Sequence, residues 1–373
     1  MTTTAKHDGP EASPPTRCSA VIEKLTVRGL RGMAETVIEG FAPLTIIVGR
    51  NGSRKSTLLE AIHLATAADS AGALAMMVAR RRGVANGVRW IFPFGETAGT
   101  SIEVEAQRGP DRTSTRFVAT PVPDEATTGM LTANGASPPF TSIRLESETQ
   151  LEGTEATSRL AFLSFASDGE CQYKYLQRAR MSSPFAHQVD ILTPGVSPPG
   201  SLADAYTALR AAGRTKFADR VLATLADRGT APADASLTIG SEQGRSFLMF
   251  AQADRGVPIA VAGDGARELI ESAVYYAQYD DGLALHEEPE LHLHPGAQRC
   301  LAGLMADTVR RGRQVVLTTH SLELIDDLLA EFSDDLASLA VITTSLVAGR
   351  LVTTTLPGEA ADRLRSQIGE DLR

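Results

Sequence analysis

The chain has 373 residues, 43% of them hydrophobic, with 36 Lys and Arg against 45 Asp and Glu and a formal net charge of −9. That is enough apolar material for one large α/β domain with an insertion, or for two domains, and the acidic balance argues against a chain-wide nucleic-acid footprint. Three widely separated cysteines, Cys18, Cys171 and Cys300, argue against a disulfide framework or a zinc site and fit a reducing compartment.

Residues 1–19 are Thr, Pro, Ser and Gly with no apolar core, and read as a flexible tail rather than a signal peptide. No apolar run is long enough to cross a bilayer, so a cytoplasmic protein is expected. Val21–Val27 and Ala34–Glu39 alternate like half-buried strands about a turn at Gly29–Gly32. Leu44–Val48 is a continuous apolar run, the pattern of a buried strand. Gly49-Arg50-Asn51-Gly52-Ser53-Arg54 follows as a loop. Lys55-Ser56-Thr57 then leads into a helical pattern with Leu58, Leu59, Ile62 and Ala65 on one side.

Strand, glycine-rich loop and helix is the layout of a phosphate-binding P-loop, the Walker A motif. Backbone N–H groups of the loop and helix start converge on one anion, and Gly49 and Gly52 let the backbone turn tightly beside it. Lys55 is expected to reach the β- and γ-phosphates, Ser56 to place its hydroxyl on Mg²⁺, and Thr57 to steady the α-phosphate side. Arg54 departs from the pattern, which wants glycine before the lysine. It adds charge but loses conformational freedom, so a degraded, weakly binding loop is the competing reading.

Small residues continue to about Ala79. Arg80-Arg81-Arg82 is the densest basic cluster, read as a solvated helix end in preference to a nucleic-acid patch. Arg89–Phe92 follows. Ser101–Ala106 alternates cleanly, and Ser114–Ala119 pairs with it as a hairpin. Residues 20–119 thus form the first part of an ATPase-like domain. Residues 120–235 form an inserted lid or arm, with strand-like pieces at Ser142–Leu145 and Ala161–Phe165 and a helical hairpin over Leu202–Leu225, broken near Gly213. Residues 236–373 resume the main domain with strands at Ser236–Ile239 and Ser246–Ala251.

Gly263-Asp264-Gly265 opens a helix running through Ala273 and Ala277, a second anion cradle. One triphosphate rarely needs two cradles from one chain, so this one is expected to serve the nucleotide of a second copy, head to tail. Gly282–Glu288 is a short apolar strand ending in two acids, a Walker B pattern. Glu287 would order Mg²⁺ and Glu288 would accept a proton from the attacking water. His286, His292 and His294 invite a metal reading, which the absence of a nearby cysteine and the prior role of the acids weigh against. Gln314–Ser321 is another buried strand with His320 at its tip, where ligands of an open α/β sheet gather. His320 is read as a γ-phosphate sensor. A hairpin, Leu339–Leu346 with Arg350–Thr355, and a final helix follow.

Together the Gly49–Thr57 loop, the Gly-Asp-Gly-Ala-Arg267 helix start, Glu-Glu-Pro-Glu-Leu-His-Leu-His-Pro295 and Thr-Thr-His-Ser321 resemble ABC-type P-loop ATPases of the OLD-like (AAA15/AAA21) group. The resemblance covers residues 20–68 and 236 onward and covers the middle poorly. It implies an ABC-ATPase-like mixed sheet with flanking helices, and a homodimer with ATP and Mg²⁺ at its interface. The family is related to chromosome-maintenance and DNA-repair ATPases, and members often serve in phage defence coupled to a nuclease. Carried over by position, Asn51, Gly52, Ser53, Arg54, Lys55, Ser56 and Thr57 bind phosphates, Ser56 and Glu287 serve Mg²⁺, Glu288 is the base, His320 the sensor, and Gly263, Asp264 and Gly265 act in trans. Arg54 for Gly, Glu287 for Asp, and Ala262 where many relatives carry Ser depart from the family pattern, so slow turnover is expected. No TOPRIM-like nuclease pattern follows, so any nuclease or effector is expected on a separate subunit. The competing readings are a nucleotide-binding regulatory module without turnover and a DNA-binding structural protein; the net charge speaks against the last.

Overall fold

The computed structural model describes residues 22–80, 87–93, 100–120, 141–165, 171–176, 185, 191–194, 202–227, 231, 234–252 and 255–372. The tail reading of 1–19, Cys18, Arg81 and Arg82 fall outside them, as does much of the expected lid.

The apolar runs form the central strands. β3 (Leu44–Gly49) is buried along its whole length. It lies in a six-stranded sheet of order β16-β15-β3-β14-β13-β9, built from β9 (Ile191–Leu192), β13 (Leu283–Glu287), β14 (Gln314–Thr318), β15 (Leu339–Val347) and β16 (Arg350–Pro357). All pairings are parallel except β15 with β16. Parallel strands covered on both faces read as continuous apolar runs, and the period of two decides which core each residue enters. Leu44, Ile46 and Val48 enter one cluster. Ile47 enters the other, with Leu285, Val316 and Ile342 of the neighbouring strands.

That second core is closed by an antiparallel sheet of order β2-β1-β4-β5-β6-β7-β8. Its strands are β1 (Lys24–Arg28), β2 (Thr36–Glu39), β4 (Ser101–Arg108), β5 (Asp111–Thr120), β6 (Thr141–Gln150), β7 (Thr157–Phe165) and β8 (Cys171–Tyr175). Helix α1 (Lys55–Thr66) lies between the sheets, and every residue of it except Ser56 is buried. The one-sided apolar pattern expected there is a helix buried all round, because both flanks meet a sheet. Helix α2 (Ser70–Ala79) follows, with the Asp69 carboxylate accepting from Gly72 N–H at 2.9 Å as its cap.

The expected insert needs correction. β6 pairs with β5 over Arg112–Thr120, β7 and β8 extend the same sheet, and β9 joins β13. The described strands of that region complete the two sheets rather than form a separate lid. The Pro-, Gly- and Thr-containing sequence between these strands hid this. The helical hairpin is present as α3 (Leu202–Ala211) and α4 (Lys216–Asp227), with Gly213 at φ 69 in the break.

Over the other face of the parallel sheet lie α5 (Asp264–Ala277), α6 (Pro295–Arg310), α7 (Leu322–Glu331) and α8 (Gly358–Arg363), with a small antiparallel sheet of β10 (Ser236–Glu242), β11 (Arg245–Gln252) and β12 (Arg255–Pro258). Helix α5 is tied to β13 three times. Leu285 N–H donates to the Tyr275 hydroxyl at 3.3 Å, and the Tyr276 hydroxyl meets His286 Nδ1 at 2.9 Å. Arg313, 1% exposed, donates to the carbonyls of Tyr275 and Leu283 at 3.2 and 3.3 Å. Among the described residues no helix is long and apolar enough to cross a membrane.

His286 is a core residue: burial holds its pKa down at about 3. The fold therefore binds fewer protons there than the unfolded chain, and its contribution, complete above about pH 6.5, is lost as pH falls below that value. Glu271, lifted to about 7 by burial and by Glu268, acts in the opposite sense. The test is thus a difference. Denaturant melts should show the stability gap between wild type and His286→Asn narrowing from pH 7 to pH 5; a constant gap refutes the assignment.

Candidate functional site

The site is built at the carboxyl ends of β3, β13 and β14. β3 ends at Gly49, φ 151, where a Cβ would lie 2.3 Å from Thr344 Oγ1 and 2.4 Å from the Thr344 carbonyl of β15. Only glycine fits. The Thr344 hydroxyl donates to Val48 O at 2.8 Å and meets Ser53 Oγ at 2.7 Å, pinning both ends of the loop. Gly52 has φ 80 with open space around it, so its conformation rather than its volume is required.

Arg54 takes the left-handed conformation, φ 70 and ψ 20, immediately before α1. This is the backbone that glycine enters freely and an L side chain enters at a cost of roughly 1–2 kcal/mol. Its guanidinium donates to the carbonyl of Arg31 at 3.1 Å. Arg31, at φ 49 in the β1–β2 turn, pairs with Glu60 at 2.6 Å and donates to Thr57 Oγ1 at 3.2 Å. Thr57 is thus buried, its hydroxyl engaged by that turn, while Ser56 stays half-buried at the helix start.

Lys55 is 5% exposed. Its ammonium donates to Gly49 O at 2.9 Å and Arg50 O at 3.3 Å, and meets His320 Nε2 at 2.7 Å. Burial lowers its pKa; Glu288, Glu290 and Glu287 pull the other way. With the ammonium donating, His320 accepts through Nε2. The backbone N–H of His320 donates to Glu290 Oε1 at 2.7 Å, which holds the main chain at the tip of β14.

β13 supplies the acids. Glu287 faces Thr318 across the parallel register, and Glu288 N–H donates to Thr318 O at 2.9 Å and to its hydroxyl at 3.2 Å. Glu288, at φ 44, turns a carboxylate oxygen to within 3.5 Å of His320 Nε2. The Glu287 carboxylate is held by Arg80, at the end of α2, and by Thr193 Oγ1 at 3.3 Å. A cavity of about 280 Å³ opens among Glu60, Arg80, Thr193, Glu287, Glu288 and Leu291. A hydroxyl at Ser56 and the carboxylate of Glu287 are hard oxygen donors, the set that suits Mg²⁺.

The structure thus brings Lys55, Glu288 and His320 together beside the Gly49–Thr57 loop, with Glu287 on the adjoining wall. Gly263, at φ 95, and Asp264 are exposed at the start of α5, and Gly265 sits where a Cβ would be 2.8 Å from the His292 carbonyl. His292 forms a left-handed turn at φ 65, and His294 caps α6 by accepting from Gly296 N–H at 3.4 Å. Among the described residues no group of three His, Cys, Asp or Glu side chains could hold a metal ion by itself.

Arg80 corrects the sequence reading. It is not a solvated helix end: its side chain is 14% exposed and engaged by Glu287. Sequence reasoning also passed over Arg31, Thr193 and Glu290. Glu290 was legible in Glu-Glu-Pro-Glu290 and Arg31 in its glycine-flanked turn; Thr193 had no local signal.

Residues 137–326 match a family model described as "AAA domain, putative AbiEii toxin, Type IV TA system", and residues 24–125 match one described as "AAA domain". The chain belongs to this family of AAA-domain, ABC-type P-loop ATPases. An uncharacterised protein of Methanocaldococcus jannaschii is 29% identical over 112 residues, which is 30% of this chain and 98% of that protein. Solved structures similar to this AAA-domain protein include an Smc head bound to the C-terminal winged-helix domain of ScpA, with TM-score 0.49 and 15% identity over 92% of this chain and 99% of that one. Another is an Smc head with an extended coiled coil bound to the C-terminal domain of ScpA from Pyrococcus furiosus, with TM-score 0.48 and 14% identity over 94% and 99%. The SMC head of Thermotoga maritima gives 0.40 and 15% over 90% and 98%.

Arg54→Gly relieves the left-handed backbone and gives up one hydrogen bond, worth about 1 kcal/mol. Calorimetry with ATP should show tighter binding, with folding stability within about 1 kcal/mol of wild type. Weaker binding would make the guanidinium itself a phosphate ligand.

Proposed function

We propose that this protein binds ATP with Mg²⁺ at the P-loop, hydrolyses it slowly, and in the ATP-bound form pairs head to tail with a second copy to control a partner effector. The observation that carries this reading is the contact chain from Lys55 through His320 to Glu288, 2.7 Å and 3.5 Å, at the end of a glycine-fitted loop.

In this reading Lys55 exchanges its bonds to Gly49 O, Arg50 O and His320 for β- and γ-phosphate oxygens. The ammonium leaves one set of acceptors for another and stays solvated by the site throughout. His320, released from Lys55, takes the tautomer that carries the ring proton on Nε2 and donates a hydrogen bond to the γ-phosphate. Glu288 takes the proton of the attacking water. Ser56 and Glu287 hold Mg²⁺, which supplies charge neutralisation at the phosphates. Asn51, Gly52, Ser53 and Arg54 offer the backbone N–H cradle.

Head-to-tail pairing is supported by the exposed helix start. Gly263 and Asp264 are open to solvent, and Val261, two residues before Gly263, is 71% exposed. An exposed helix N-terminus suits a second copy carrying a triphosphate. Phage defence or DNA repair, with the effector or nuclease on a separate cytoplasmic subunit, extends the family resemblance. DNA itself gains no support from a net charge of −9. The second reading, a nucleotide-binding regulator without turnover, is favoured by the left-handed Arg54.

Purified protein should release phosphate from ATP in a Mg²⁺-dependent manner. Glu288→Gln should cut the rate by at least about a hundredfold, in line with removal of a general base, while keeping nucleotide binding and shifting the ATP-bound protein to a dimer in light scattering. Lys55→Ala should lose binding. Tight ATP binding with no product in the wild type would select the regulator; release unaffected by Glu288→Gln would remove the base assignment.

A further inference from the structure

Glu287 is already engaged. Its Oε2 is gripped by the guanidinium of Arg80, and Thr193 lies against both. Three separate chain segments converge to make this contact: the end of α2, the turn after β9 and the tip of β13. The Arg80 and Glu287 side chains are only 14% and 15% exposed, so water screens the pair poorly. Glutamate, one methylene longer than the aspartate of the family pattern, has the reach for it. Glu60 and Glu288 stand on the walls of the same cavity, with Glu60 paired to Arg31.

The electrostatics set a direction. A divalent cation brought to Glu287 meets a full positive charge one hydrogen bond away, on a pair whose side chains are only 14% and 15% exposed. A neutral hydrogen-bond partner such as Thr193 would steady a metal-binding carboxylate. A guanidinium in the same place also repels the metal, and repulsion between a single and a double charge at contact range outweighs what orientation supplies. Arginine stays charged at any working pH, so only movement relieves the conflict. Its long side chain can move without displacing α2.

We propose that Arg80 is a resident counter-cation of Glu287 that a metal ion must displace, so that Arg80 sets the metal concentration at which the nucleotide site loads. Thr193 keeps its hold on Glu287 when Arg80 leaves. The inference rests on the nucleotide-site reading above, and its test separates the two.

The full-length protein without nucleotide is titrated with Mn²⁺ and followed by electron paramagnetic resonance, for wild type, Arg80→Ala and Arg80→Met, the last keeping the aliphatic stem. Melting curves check that each variant is folded. Displacement predicts a Mn²⁺ half-saturation at least about tenfold lower in both variants. The Mg²⁺ concentration for half-maximal binding of a fluorescent ATP analogue falls in parallel, while analogue binding in EDTA stays unchanged. A half-saturation that is unchanged or higher in both variants overturns the proposal, and Arg80 then braces Glu287 for the metal instead of against it. Absence of Mn²⁺ binding in Arg80→Ala overturns it as well. If no form binds the analogue, the nucleotide reading fails and the Mn²⁺ titration still decides the role of Arg80.

Discussion

The structure turns on a buried ammonium. Lys55 has almost no access to water, so its charge needs acceptors inside the protein. Two are main-chain carbonyls of Gly49 and Arg50, and the third is the ring of His320. Each depends on something further away. The Gly49 carbonyl points inward because φ 151 is available to glycine where Thr344 leaves no room for a Cβ. The main chain of His320 is held by Glu290. The field of three carboxylates offsets part of the desolvation that otherwise disfavours the charged form.

Around this charge the backbone carries strain that elsewhere in the described residues is confined to two hairpin tips. Among the described residues, Arg31, Arg54, Glu288 and His292 are non-glycine residues with positive φ, and all four lie on the loops that meet the site or the start of α5. Gln243 and Ala348, the other two, are hairpin-tip residues beside glycines. Strained backbone persists where surrounding packing over-determines it. Here the packing is two cores on opposite faces of β3, with α1 clasped between sheets.

The central sheet was legible because buried parallel strands announce themselves. Leu44–Val48, Gly282–Glu287 and Val315–Leu317 needed no partner to be read, and the residues at their tips followed from the strand ends. The antiparallel sheet was half legible: β4 and β5 alternate, but β6–β8 are separated from them by the Pro-containing stretch 121–140, which carries no pairing information. Arg80 illustrates a different failure. In sequence it is the first of three arginines at a helix end, and nothing local distinguishes it; its partner is 207 positions away. Thr193 failed likewise, since a single threonine after a two-residue strand has no periodicity to announce it.

The three bonds from α5 to β13 give the molecule a stiff internal lever. Two tyrosine hydroxyls and one sealed guanidinium fasten the far half of that helix to the strand that ends in the paired acids. At its near end Gly263 and Asp264 are exposed, while Ala266 is already buried. Bonds this short leave little slack between helix and strand, so the start of α5 and the paired acids belong to one stiff unit.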